Sequence, residues 1–295
     1  MPLYCGIGGV KHKISGLYTG VGGVKKELTE MWAAENGVKK LVYKAISYDP
    51  VLNNNNWDLI RQASDKGVAS SVWSVGDRKA VTLNGTWSKL TFSNCTYYVY
   101  ILGFNHNSPR EGRASIHFQF GYTKLSGGVH IAFISGYRDD SDFYMNASST
   151  NSGGWKNSFM RNTVCTTFKN CLPSALRSVL KSITKYSDNT GRRSNVESTV
   201  TMTTDTIFLL SEFEVFGDIQ DSNKYEQNYQ EQYQYYKNGN SKLRYDSSSE
   251  SDDIPWWLRS PGISSTGVFC GVSKSGTSFS PGSQYSMGFA PAFCV

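Results

Sequence analysis

Near its C-terminal end the chain reads Pro255-Trp256-Trp257-Leu258-Arg259-Ser260-Pro261, and it closes on Gly288-Phe289-Ala290-Pro291-Ala292-Phe293-Cys294-Val295. The first run is an apolar strand with one arginine in its middle. A guanidinium keeps its charge when buried, so an arginine in such a strand needs a carboxylate against it. Glu212 or Glu214, on either side of Phe213 in the run Glu212–Gly217, is the expected partner. In a strand the two carboxylates would share one face. Trp256, Trp257, Arg259, Glu212 and Glu214 are therefore assigned structural roles.

Between the two apolar anchors, residues 262–288 are rich in Gly and Ser, with Thr266, Phe269, Lys274, Thr277, Phe279, Gln284 and Tyr285 interspersed. Rigid brackets around an adaptable polar and aromatic stretch describe a displayed recognition surface. The alternative is a pair of surface hairpins that bind nothing.

Working outward, the 295 residues are 39% apolar, 14% aromatic and only 18% charged. That much aromatic mass excludes wholesale disorder, and the low charge leaves the surface to Ser, Thr, Asn, Gly and Tyr. The net charge of +6 is dispersed, which argues against nucleic acid as a partner. No stretch approaches the length of a membrane span, and the first ten residues do not look like a signal peptide. Cysteines stand at 5, 95, 165, 171, 270 and 294, with no Cys-x-x-Cys pair and hence no zinc knuckle. Cys165 and Cys171 could bridge in a secreted protein; buried free thiols are the expected state. The sequons at Asn84, Asn94 and Asn146 carry meaning only on a secretory route.

The chain opens on a repeat. YCGIGGVK at 4–11 recurs as YTGVGGVK at 18–25, and a worn copy follows with Trp32, Gly37, Val38 and Lys39 in the matching places. Short strands with Gly turns fit this pattern, and so short a segment cannot bury its own faces. Residues 1–45 are expected to be a stem for oligomerisation or attachment. A nucleotide site fails on detail, since neither glycine cluster completes a phosphate-binding pattern.

From residue 46 the texture changes. Asn53–Asn56 offers an N-cap to a helix carrying Trp57, Ile60 and Ala63, stopped at Gly67. Val72–Asp77 reads as a strand, Asn84-Gly85 as a hairpin turn, and Tyr97–Phe104, Ser115–Tyr122 and Gly128–Ile134 as buried strands. Residues 138–157 read as loop. Leu172, Leu176, Val179, Leu180 and Ile183 fall on one helical face, and a second helix is expected over Ser222–Lys237, with a packing stripe of Tyr225, Tyr229, Tyr233 and Tyr236 before Gly239. Thr199–Ser211 and three short C-terminal segments complete an α+β domain. His12, His106, His117 and His130 have no evident carboxylate companion. Asp139, Asp140 and Asp142 lack the rest of a calcium loop. No metal and no cofactor is expected.

WWLRSP followed by GFAPAFCV looks like the C-terminal signature of a C-type-lectin-like domain found in bacteriophages and prophages of gut Firmicutes. LNGTW, YYVYILGFNHN, LPSALRSVLKSITKY, LLSEFEVFG and KYEQNYQEQYQYY are similar to the same family, and GVGGVK is similar to N-terminal repeats of its tail proteins. The resemblance implies a fold like the formylglycine-generating-enzyme branch of C-type lectins over residues 46–295, preceded by the β-repeat stem. The copper-binding cysteine pair of that branch and the Glu-Pro-Asn and Trp-Asn-Asp motifs of calcium-dependent lectins have no match here. It further implies a non-enzymatic receptor-binding protein at the virion tail tip. Such a protein is often diversified by a retroelement between the two anchors. Its partners would be a bacterial surface protein or glycan and, through the stem, other tail proteins and further copies of itself, with a trimer as the expected state. The variable face would comprise Ser264, Ser265, Val268, Gly271, Ser273 and Lys274, then Thr277, Phe279, Pro281, Gln284, Tyr285 and Met287, with Phe269 and Val272 pointing inward. The rival readings are a tail glycan hydrolase with Glu212 or Glu214 as acid/base, and a host-encoded surface adhesin.

Overall fold

A computed structural model describes residues 4–7, 10–13, 18–21, 24–28, 30–35, 37–44, 46–112, 116–134 and 142–295. The chain divides into two units, Met1–Asp49 and Pro50–Val295.

The first unit holds three antiparallel hairpins. They pair β1 (Tyr4–Ile7) with β2 (Val10–Lys13), β3 (Tyr18–Val21) with β4 (Val24–Glu27), and β5 (Glu30–Glu35) with β6 (Val38–Lys44). The closing pairs Ile7↔Val10, Val21↔Val24 and Glu35↔Val38 step along the chain by the interval of the sequence repeat. Each copy of the repeat is thus one hairpin. Each hairpin is its own two-stranded sheet, a size that is marginal in water by itself.

In the second unit, Asn56 caps the helix Trp57–Asp65 by accepting the Leu59 N–H, and Trp57, Ile60 and Ala63 face the core. The strands are β7 (Arg78–Trp87), β8 (Leu90–Phe104), β9 (Ile116–Tyr122), β10 (Ile131–Ala132), β11 (Ile183–Asp188) and β12 (Val200–Asp205). They continue with β13 (Ile207–Phe208), β14 (Tyr245–Asp246), β15 (Trp256–Pro261), β16 (Phe269–Val272), β17 (Ser278–Phe279) and β18 (Ala292–Cys294). The main sheet is antiparallel in the order β13-β18-β9-β8-β7. The final strand therefore lies inside the sheet, between β13 and β9, which explains why Ala292-Phe293-Cys294 is wholly apolar. Phe293 stacks on Phe118 at 5.4 Å, and Trp57 meets both rings edge-on. A second antiparallel sheet has the order β15-β16-β17, and β11 pairs with β12. The unit is a mixture of helix and sheet dominated by strands.

Several sequence expectations give way. Asn84-Gly85 is not the hairpin turn. β7 runs through it with a bulge between Leu83 and Gly85, and the turn falls at Ser88-Lys89, with Ser88 at φ 53°. The Asn84 side chain accepts the Asn94 N–H across the ladder, which makes it a bulge residue. Val72–Asp77 is not a strand, because Ala69–Val72 forms a helical turn. The helix expected from Leu172 to Ile183 shrinks to Ser174–Arg177. The Lys181 N–H bonds to the Cys294 carbonyl, and Ile183 opens β11, so sheet pairing overrides the helical period. The Ser222–Lys237 helix breaks into a 3₁₀ turn, Lys224–Asn228, and a short helix, Gln234–Lys237. Tyr233 and Tyr236 are buried, and Tyr229 stacks on Tyr186 at 5.3 Å. Residues 142–157 are not all surface loop, since Trp155 is fully buried in the short helix Gly154–Asn157. Asp139 and Asp140 lie outside the described residues, as does Cys5's side chain. Cys95, Cys165, Cys171, Cys270 and Cys294 are free thiols. Among the described residues no helix is long and apolar enough to cross a membrane.

Candidate functional site

The run Glu212–Phe216 is a helix and not a strand. Ser211 and Glu214 form a capping box, and Gly217 closes the last turn at φ 69°. The pattern Ser-x-x-Glu carried this signal, but the alternation of Glu212, Phe213 and Glu214 imitates a strand. The helical turn separates the two glutamates. Glu214 alone takes Arg259, whose Nη1 and Nη2 both donate to its carboxylate, while the Arg259 Nε donates to Ser187 and Nη1 also to the Leu209 carbonyl. Lys185 adds a second cation on Glu214 at 2.9 Å and reaches Glu111 at 2.7 Å and the Tyr233 hydroxyl at 2.9 Å. Burial would raise Glu214, but Arg259 and Lys185 hold it well below the usual carboxylate range. Glu111, with only one of these cations against it, is pushed by burial up to about 7.

Glu212 does not pair with Arg259. Its carboxylate accepts the backbone N–H groups of Gln220, Asp221 and Ser222 and the Ser222 hydroxyl. Ser278, on β17, places its hydroxyl against Glu212 and Asp221. Both glutamates are fully buried. Their carboxylates face protein groups and are closed off from the surface.

His106 has carboxylate neighbours that its sequence context does not show. Its Nε2 is 3.9 Å from Glu111, and the ring stacks on Tyr233 at 3.7 Å. His106, Glu111 and Glu214 bring potential ligand atoms within 4.8 Å of one another. Lys185 Nζ already bonds both carboxylates, so an ammonium supplies the charge that a metal would bring. Burial, with Lys185 next, pushes His106 down to about 3, and the ring stays neutral. This set is an ion-pair core.

The displayed segment runs over the second sheet. Ser264, Ser265, Thr266, Lys274, Thr277 and Tyr285 are exposed, and Val268, Ser273, Phe279, Pro281 and Gln284 are half-buried. Gly271 and Met287 are buried and leave the expected face. A Cβ on Gly271 would lie 2.9 Å from Met287 and 3.0 Å from Phe279, so these residues pack on each other. Phe269 and Val272 are buried, and Trp256 and Trp257 are fully buried beneath them.

The residue that sequence reasoning missed is Asn151. It is fully buried, and its Nδ2 donates to the carbonyls of Gly262, Ser265 and Val268 while its N–H donates to Thr266. Ser283 adds a second anchor, its hydroxyl donating to the Ser148 carbonyl. One buried amide thus holds the backbone of the first displayed loop. An isolated asparagine far away in sequence offers no periodicity from which this could be read.

Fold and site together define a mixed helix-and-sheet domain in which a buried arginine–glutamate core supports an exposed polar segment tied down through its backbone. Residues 137–295, more than half of the chain, match the family described as Domain of unknown function (DUF6273), and the chain belongs to that family. No curated protein and no solved structure matches it.

Proposed function

We propose that this protein is a non-enzymatic receptor-binding protein of a bacteriophage tail, with a C-type-lectin-like domain that displays Ser264–Tyr285 to a bacterial surface protein or glycan. The observation that carries the reading is the division of labour in this segment. Asn151 holds the backbone of its first loop and the Ser283 and Ser278 hydroxyls tie it to Ser148 and Glu212, whereas Ser264, Ser265, Thr266, Lys274, Thr277 and Tyr285 are exposed. Side chains on such a support can change without refolding the domain. The three hairpins of the first unit would join copies into an oligomer and multiply weak contacts.

Tyr285 is the test. It is a large aromatic side chain, 47% exposed, and aromatic residues dominate recognition hot spots, where truncation costs about 2 kcal/mol or more. Tyr285→Ala should leave the folding stability within about 0.5 kcal/mol of unchanged and reduce adsorption to a susceptible bacterium. Adsorption equal to that of the unaltered protein would remove Tyr285 from the binding face.

A further inference from the structure

We infer that the recognition surface is composite: a turn at Gly191-Arg192-Arg193 forms a cationic rim beside the displayed segment and binds anionic groups of a surface polymer. The inference rests on the receptor-binding reading and adds the chemistry of the ligand. Gly191, Arg192 and Arg193 have φ of 61°, 64° and 59°, three successive residues in the left-handed region. Glycine tolerates this conformation, but each arginine is strained by about 1–2 kcal/mol there. Two such residues in a row persist only where the surroundings over-determine them.

Those surroundings are visible. Asp188 Oδ1 accepts the Thr190 and Gly191 N–H groups. The Arg192 N–H donates to Asn151 Oδ1 at 2.8 Å, and the Arg192 Nε donates to the Ser152 hydroxyl at 3.1 Å. A Cβ on Gly191 would come within 2.0 Å of the Asn151 carbonyl oxygen, so glycine alone fits there. Asn151 is the same residue whose Nδ2 holds Gly262, Ser265 and Val268. One buried amide therefore fixes the arginine turn and the displayed loop against each other.

The charge around the turn has one dominant sign. Arg192 and Arg193 are exposed, and no carboxylate among the described residues forms an ion pair with either. Lys156 and Lys224, both exposed, flank the loop, since their backbone N–H groups donate to Asn189 and Asn195. Two carboxylates lie nearby: Asp188, buried beneath the turn, and the exposed Glu197, hydrogen bonded by Asn228 and the Tyr229 hydroxyl, so the exposed cations outnumber the exposed carboxylate. Four cations on a rigid frame fit an anionic polymer: guanidinium forks match phosphate and carboxylate alike, and the summed potential speeds encounter.

The test measures retention of the full chain on immobilised poly(glycerol phosphate), polygalacturonate and neutral dextran at low and physiological salt. The unaltered protein should be retained on an anionic polymer and not on dextran, and comparing the two polyanions separates phosphate from carboxylate as the source. Arg192→Gln/Arg193→Gln should cut retention by about tenfold, in the range expected when a steering patch is lost, with an unchanged melting temperature. Lys66→Gln/Lys124→Gln removes the same charge at exposed positions elsewhere and should have little effect. Equal losses for both pairs, a lowered melt for the arginine pair, or no retention on either polyanion would overturn the rim. Tyr285→Ala reports separately on the displayed segment. If it leaves bacterial adsorption intact while the arginine pair loses the polymer, the rim stands and the displayed segment fails.

Discussion

Arg259 shows how much one residue commits its neighbours. Its guanidinium donates to Glu214, Ser187 and the carbonyl of Leu209, all in the interior. Arg259→Leu keeps the volume but strands the Glu214 carboxylate with Lys185 as its one remaining cation. Removing one member of a buried pair costs about 3–5 kcal/mol, and a thermal melt should show that loss. An unchanged melt would mean that Lys185 suffices. At the same scale, an arginine within an apolar strand was enough to predict a buried carboxylate partner. Which glutamate took that role depended on the helical turn that Ser211 nucleates, and the turn sends Glu212 to the backbone of Gln220–Ser222.

Elements join through a second buried acid. Glu226, in the 3₁₀ turn Lys224–Asn228, accepts the Asp188 N–H from β11, the Ser260 hydroxyl from β15, and the Gln230 side-chain amide. Burial, opposed by these hydrogen bonds, pushes it up to about 7 from an ordinary 4.5. The folded chain therefore holds a proton that the unfolded chain releases near 4.5. The stability that this proton confers is fully present below that pH and is lost as the pH rises through about 7, by on the order of 3 kcal/mol. The melting temperature should fall between pH 5 and pH 8, and Glu226→Gln should make that slope shallower, leaving the share of Glu111. An equal slope in the variant would place the titration on another group, Glu111 first among them. The elements that sequence reading misjudged fail for a related reason. Leu172–Ile183 has a helical period, but β11 is claimed by pairing with β12, and the Lys181 N–H by Cys294.

For the whole molecule, the two units make separate predictions. The hairpins of Met1–Asp49 lie in three separate two-stranded sheets, too small to be stable alone. A chain starting at Pro50 should melt like the full chain but sediment as a monomer, while the full chain sediments as an oligomer. Identical sedimentation of both forms would dissociate the hairpins from assembly.

The repeat, the cap at Asn56, the apolar anchors and the arginine among them were legible in the sequence because each is a local pattern: a period, a spacing, or one charge in an apolar run. The repeat showed short strands joined at glycines, and the structure set their pairing as hairpins. Only the tertiary structure decided which acid met Arg259, that Asn84-Gly85 is a bulge, that Gly271 and Met287 are buried, and that Asn151 ties the Arg192 turn to the Ser264 loop. Those outcomes depend on contacts between residues far apart in the chain, where the partner that satisfies a buried charge or amide is chosen by packing, and composition and spacing carry no record of that choice.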